Sequence, residues 1–242
     1  MIRTAMGGDS MTGSLTGPTP RIAKLEGAST SKSRYPISPY EAERAAKFHS
    51  ARDRDQYIVV HARLRMILAG YLGLSPDLIE FGYRLHGKPF LASPRSIGFN
   101  LSHTRGLALV AIGRELELGI DLERLRGNFA VSDLASLTFA QDELLSFYSL
   151  SPDLQTRCFF ENWALKEAYA KALGVGLRLD FRKIKRAKIP SALLPIDLEY
   201  AAALSVLTKG SYSVRFYELG NQVPDFSVAV PKAEISLNFD IC

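Results

Sequence analysis

With 242 residues the chain is long enough for one large domain or two small ones, and its balance of 47% apolar to 23% charged residues is that of a folded globular protein. No apolar run nears the ~20 residues of a membrane helix. Cys158 and Cys242 stand in no CxxC or Cys/His spacing, which sets aside a disulfide framework or a zinc site and fits a reducing cytoplasm. The net charge of +5 suits an anionic partner without choosing among nucleic acid, a phosphorylated cofactor and an acidic protein.

Residues 1–34 are rich in Gly, Ser, Thr and Pro and lack apolar periodicity, so a disordered tail is expected there. Order is expected from "ISPYEAERAAKF". Ser38 is a good N-cap, Pro39 suits the first helical position, and Glu41 completes a capping box with Ser38. A second helix from Asp53 to about Leu72 carries Tyr57, Val60, Leu64, Ile67, Leu68 and Tyr71 at helical spacing. "LIEFGYRLHGKPFL" reads as strands around a Gly-Lys-Pro turn, and "IGFNLSHTRGLALVAIG" as two strands joined at Thr104–Gly106. "LELGIDLE" is a further strand. "VSDLASLTFAQDELLSFYSL" holds helical signals, and "DLQTRCFFENWALKEAYAKALGVG" is a strong helix closed by Gly174. "RKIKRAK", Arg182 to Lys188, reads as a solvated charged loop, and the remainder alternates like antiparallel strands. Helices followed by strands in each half predict an α+β fold.

The acidic strand poses the functional question. Its side chains alternate between two faces, so Leu116, Leu118, Ile120 and Leu122 point one way and Glu117, Gly119, Asp121 and Glu123 the other. Like charges on one face repel, and folding does not call for them. Asp121 and Glu123 stand ~7 Å apart along the strand, a spacing that lets one hard cation such as magnesium sit on that face. Gly119 on the same face would let a ligand approach the backbone. Taken alone, such acids are more often a solvated edge that guards against aggregation. On the long helix, Glu167 and Lys171 are four residues apart, with Trp163 one turn earlier on the same stripe. A third carboxylate there closes a metal site, and a lysine one turn on meets a phosphate. Alone, that spacing describes an ordinary surface pair. Lys88 in its stiff turn and His103 in "FNLSH" add phosphate-seeking groups.

Taken in order, "GKP", "FNLSH", "LGIDLE" and "WALKEAYAKALGVGL" resemble the 4′-phosphopantetheinyl transferases of the surfactin-synthetase-activating type, and "ISPYEAERAAKF" with "LRMILAGYL" resembles the start of that family. The resemblance covers roughly Ser38 to the late 220s. It implies a pseudo-dimer of two similar α+β lobes, residues 35–115 and 116–242, with the active site in the cleft between them. It implies transfer of the phosphopantetheine arm of coenzyme A to a serine of an acyl or peptidyl carrier protein, with adenosine 3′,5′-bisphosphate as the other product. By the same resemblance Asp121, Glu123 and Glu167 match the magnesium ligands, with manganese as the alternative metal. Glu167 and Lys171 match catalytic positions, Glu167 as the base for the carrier serine. Lys171, Ser102, His103, Lys88 and Arg44 match contacts to coenzyme A. A cytoplasmic monomer is expected, because two lobes already imitate a dimer, with no nucleic-acid or membrane partner. The chain departs from the family pattern at Gln56, His61 and Glu41, where basic residues are common; Arg54, Arg63 and Arg65 are the candidates to compensate. The family's first strand has only "RIAKLEG" or "SRYP" to stand for it.

Two rival readings remain at this point. A magnesium-dependent nuclease or other phosphoryl transferase on nucleic acid would use the same acids and Lys171, but it asks for a broad basic groove with stacking aromatics, and the basic residues here are scattered. A non-catalytic carrier-binding homologue would account for Gln56 and His61.

Overall fold

The structure, a computed structural model, describes residues 21–26, 36–127, 130–208, 211–219 and 233–238. Its strands are β1 (Arg21–Glu26), β2 (Phe81–Tyr83), β3 (Pro89–Leu91), β4 (Ile97–Thr104), β5 (Leu107–Arg114), β6 (Leu118–Arg124), β7 (Ser191–Leu193), β8 (Tyr200–Val206), β9 (Ser211–Leu219) and β10 (Ala233–Asn238). Its helices are α1 (Pro39–Ala46), α2 (Ala51–Leu72), α3 (Val131–Thr138), α4 (Gln141–Tyr148) and α5 (Pro152–Leu173). The fold is α+β, as the order of helical and alternating segments predicts. No described helix is long and apolar enough to cross a membrane.

Local chemistry sets several boundaries. The capping box forms: the Glu41 amide donates to Ser38 Oγ and the Ser38 amide donates to Glu41 Oε2. Helix α5 ends at Gly174, whose φ of 72° is the left-handed conformation that a Cβ disfavours. Arg182 to Lys188, expected as a charged loop, folds into two short 3₁₀ turns.

The elements stack in four layers. Strand β5 shows why, because it is apolar on both faces. Ala108, Val110 and Ile112 join Val60, Leu64, Ile67 and Leu68 of α2 in one core. Leu107, Leu109 and Ala111 join Leu118, Ile120 and Leu122 of β6 and Leu204 of β8 in a second. A third core fills the space beneath α3, α4 and α5, where Phe139, Phe147, Phe159 and Phe160 meet Ala201 and Ala203 of β8. A five-stranded sheet, ordered β10-β9-β1-β5-β4, and a three-stranded sheet, β6-β8-β7, thus lie face to face with α2 and α5 outside them.

One feature differs from the sequence reading. Arg21–Glu26 falls in the segment read as tail, yet it is a strand, antiparallel to β5 and parallel to β9. Its alternating Ile22, Ala23 and Leu25 supply apolar groups to both sheet faces, too short a pattern to stand out beside the Gly- and Ser-rich residues around it. The rest of the tail, 1–20 and 27–34, lies outside the described residues. Strands β9 and β10 return to the sheet of β1, β4 and β5, so the second half of the chain completes the sheet of the first.

Helix α5 meets β6 at very short range. A Cβ on Gly119 would stand 2.0 Å from the Ala168 carbonyl oxygen and 2.3 Å from the Ala172 amide nitrogen. The glycine therefore admits another backbone, where the sequence reading had a ligand. Gly119→Ala is expected to destabilise the protein by about 3 kcal/mol, measured as a fall in the urea midpoint, because the helix must lift from the strand.

Candidate active site

Asp121 and Glu123 project from β6 on the face opposite Leu118, Ile120 and Leu122, toward α5, which carries Glu167 and Lys171. Asp121 is 3% exposed and Glu167 9%. Charge coupling shows that the three acids share one region. Burial raises the pKa of Glu167 to about 7, and Asp121 and Glu123 add to the rise. Burial also raises Glu123, with Asp121 contributing, while an indole N–H from Trp163 and the Lys171 charge pull the other way. The Lys171 ammonium donates to Asp121 Oδ1 at 2.6 Å and to Ser102 Oγ at 3.0 Å, and Ser102 donates to the same carboxylate oxygen at 3.3 Å.

Among the described residues no three His, Cys, Asp or Glu side chains are drawn close enough together to hold a metal ion as they stand. Two atoms nevertheless fit one. Asp121 Oδ2 and Glu167 Oε1 are buried with no hydrogen-bond partner, and hard divalent cations take such carboxylate oxygens. Glu117, the first acid of the stretch, is separate: it is half exposed and pairs with Arg84 and Lys88.

Beside the acids lies a cavity of about 400 Å³. Lys171 belongs to both places, since it lines the cavity and touches Asp121. Arg44, Lys88 and His103 line the cavity too, with Tyr57, Phe81 and Tyr83 as aromatic walls. Burial pushes His103 below the usual imidazole range, and the charges of His61 and Lys171 add to the effect. Ser102 is buried and contacts Asp121 and Lys171 through its hydroxyl.

Lys88 does not present a free ammonium as its turn suggested. It donates to the carbonyls of Ala172, at 2.7 Å, and Leu118, at 3.0 Å, and so ties the end of α5 to the start of β6. Burial lowers its pKa, with Glu117 opposing.

Sequence reasoning missed three elements. Asn100 is buried in β4, and its Oδ1 accepts the Ile120 amide at 2.8 Å, which fixes β6 against the neighbouring sheet. Its signal was a polar residue between apolar ones in a strand. Lys166, fully buried, donates to the Thr138 and Phe181 carbonyls and to Glu143 at 2.5 Å, anchoring the outer side of α5. Glu41 accepts from Arg65 at 2.6 Å and pairs with His61 Nδ1 at 3.1 Å. Burial alone would raise Glu41, but hydrogen bonds from His61, the Ser38 backbone and Arg65 hold it at about 2. The departures at Glu41 and His61 are thus partners of one another. Arg65 is committed to Glu41 and to the Pro76 and Ile79 carbonyls, and Gln56 to the Thr104 carbonyl. Arg65 therefore gives the cavity no compensating charge.

Comparison with known proteins adds the family context. The family model described as 4′-phosphopantetheinyl transferase superfamily matches residues 117–217, and that described as 4′-phosphopantetheinyl transferase, N-terminal, matches residues 30–114. The 4′-phosphopantetheinyl transferase HetI of Nostoc sp. is 36% identical over 174 residues, 71% of this chain and 72% of that protein. The 4′-phosphopantetheinyl transferase of Bacillus subtilis is 29% identical over 143 residues, 59% of this chain and 62% of its own length. The human L-aminoadipate-semialdehyde dehydrogenase-phosphopantetheinyl transferase is 30% identical over 160 residues, 62% of this chain and about half, 52%, of its own length.

The raised pKa of Glu167 has a measurable consequence. Its folded value of about 7 lies above the 4.5 of a free glutamate, so the folded state binds that proton more tightly. The stabilisation is complete below pH 4.5 and is lost as the pH rises through about 7. In chelator, urea unfolding is expected to give a stability lower at pH 8 than at pH 5, with a Glu167 contribution on the order of 2–3 kcal/mol. Glu167→Gln removes that contribution, making the variant the more stable protein at pH 8.

Proposed function

The chain belongs to the 4′-phosphopantetheinyl transferase superfamily, and from that membership we propose that it moves the phosphopantetheine arm of coenzyme A onto a serine of an acyl or peptidyl carrier protein. The observation that carries the reading is the Lys171 ammonium held between Asp121 and a cavity with basic and aromatic walls, next to the buried, partnerless oxygens Asp121 Oδ2 and Glu167 Oε1. Two lobes that imitate a dimer, a cleft between them and a monomer in the cytoplasm complete the proposal.

Each chemical requirement has a candidate group. Arg44 and His103 line the cavity and would receive the nucleotide phosphates, while Tyr57 and Tyr83 supply aromatic wall. Lys171 reaches the diphosphate from the acid side. Asp121, Glu123 and Glu167 would hold magnesium, with manganese the alternative, and such an ion supplies positive charge to the reacting diphosphate. A serine hydroxyl is a weak nucleophile until its proton leaves. Glu167, beside the acids of β6, is the candidate to accept that proton, directly or through a water. The serine oxygen then bonds to the phosphorus of the pantetheine-side phosphate. The bond from that phosphorus to the bridging oxygen breaks, and adenosine 3′,5′-bisphosphate departs with the electron pair. Holding the serine in line with the leaving oxygen lowers the barrier further.

The test is to incubate the protein with magnesium, coenzyme A and an apo carrier protein and to weigh the carrier. A gain of one phosphopantetheine mass is expected, and a carrier of unchanged mass rejects the proposal. Asp121→Ala and Glu167→Ala are expected to slow transfer by about 10²–10⁴-fold while circular dichroism shows an intact fold.

A further inference from the structure

We infer that Lys171 serves Asp121 as a built-in cation which the divalent ion has to displace, so that the metal and the diphosphate-bearing substrate bind cooperatively rather than independently. The inference rests on the reading of the acids as a metal site.

The geometry is specific. The Lys171 ammonium lies 2.6 Å from Asp121 Oδ1 and 3.0 Å from Ser102 Oγ, so it sits on the carboxylate that a metal would use. The other oxygen of that carboxylate, Oδ2, is buried and has no partner, as is Glu167 Oε1. A doubly charged ion on Oδ2 would stand within a few ångströms of the ammonium, in surroundings where burial weakens screening. The two cations repel there unless one moves or an anion comes between them. Lys171 is able to move: its side chain is 29% exposed, its stem is flexible, and it already lines the cavity together with Arg44 and His103. A diphosphate in the cavity gives the released ammonium a new partner.

Each ligand thus lowers the cost of the other. The metal frees Lys171 for the diphosphate, and the diphosphate holds Lys171 away from Asp121. Coupling of this kind is reciprocal. It also gives the protein without metal a reason to tolerate buried acids, since Lys171 offsets part of their repulsion.

The experiment measures Mn2+ binding through the electron paramagnetic resonance signal of free Mn2+, with and without coenzyme A, for wild type, Lys171→Met and Lys171→Gln. Wild type is expected to bind Mn2+ weakly alone and at least tenfold more tightly with coenzyme A. Lys171→Met, lacking the competing charge, is expected to bind Mn2+ alone about tenfold more tightly than wild type. Lys171→Gln retains a hydrogen-bond donor for Asp121 without the charge and is expected to behave like Lys171→Met. A Lys171→Met protein no tighter than wild type overturns the inference, as does a Lys171→Gln protein that matches wild type, which would mark the lysine as a structural donor. Absence of Mn2+ binding by wild type even with coenzyme A overturns the metal-site reading itself, and the inference with it. Melting temperatures give an independent check on folding: the Lys171→Met value, lowered in chelator, is expected to recover more on adding Mn2+ alone than wild type gains, and an equal gain counts against displacement.

Discussion

Helix α5 rests on strand β6 so closely that a methyl group at Gly119 would meet the Ala168 carbonyl oxygen at 2.0 Å. That approach decides what the neighbouring side chains do. Alternation along β6 sends Asp121 and Glu123 out on the same face as Gly119, and helical spacing stacks Glu167 and Lys171 one turn apart on α5. Pressing the two surfaces together removes water from both sets. Burial then raises Glu167 to about 7 and leaves carboxylate oxygens without partners. A glycine is needed for packing, and that packing buries acids whose mutual repulsion Lys171 partly offsets.

The contact is secured from several directions. Lys88 ties the Ala172 and Leu118 carbonyls together at the end of α5, and Asn100 holds the Ile120 amide from the adjoining sheet. On the outer side Lys166 joins α5 to Thr138, Phe181 and Glu143. Neutral and charged hydrogen bonds inside a protein fix geometry more than they add net stability, and here they hold the strand and helix that bear the acids. The cavity wall is treated similarly. Glu41 binds Arg65 and His61, so positive charge that a sequence pattern would assign to a ligand is spent within the fold. Arg44, His103 and Lys171 carry the basic character that faces the cavity.

Much of this was legible in the residues, and the exceptions have physical causes. The two faces of "LELGIDLE" separated as the strand period requires, since Leu118, Ile120 and Leu122 enter the core between the sheets. The capping box at Ser38 and the stop at Gly174 formed where local chemistry places them. Strand β1 was only one of two stretches that could stand for the family's first strand, because its six residues gain their burial from β5 and β9, far away in the chain. Glu117 shared the phase of Asp121 but is half exposed and paired with Arg84 and Lys88. Gly119 was correctly marked as a place of close approach, with the wrong visitor.

By itself the sequence determined which residues share a face, where helices start and stop, and which side chains are chemically able to bind a cation or a phosphate, because these follow from periodicity and from contacts a few residues apart. The tertiary structure decided which of those able groups remain available. Lys88 and Lys171 look alike as lysines near glycines, yet one is bonded to two backbone carbonyls and the other stands between an aspartate and a cavity. That difference comes from how 84 positions of chain fold back between Lys88 and Ala172, and local pattern carries no record of it.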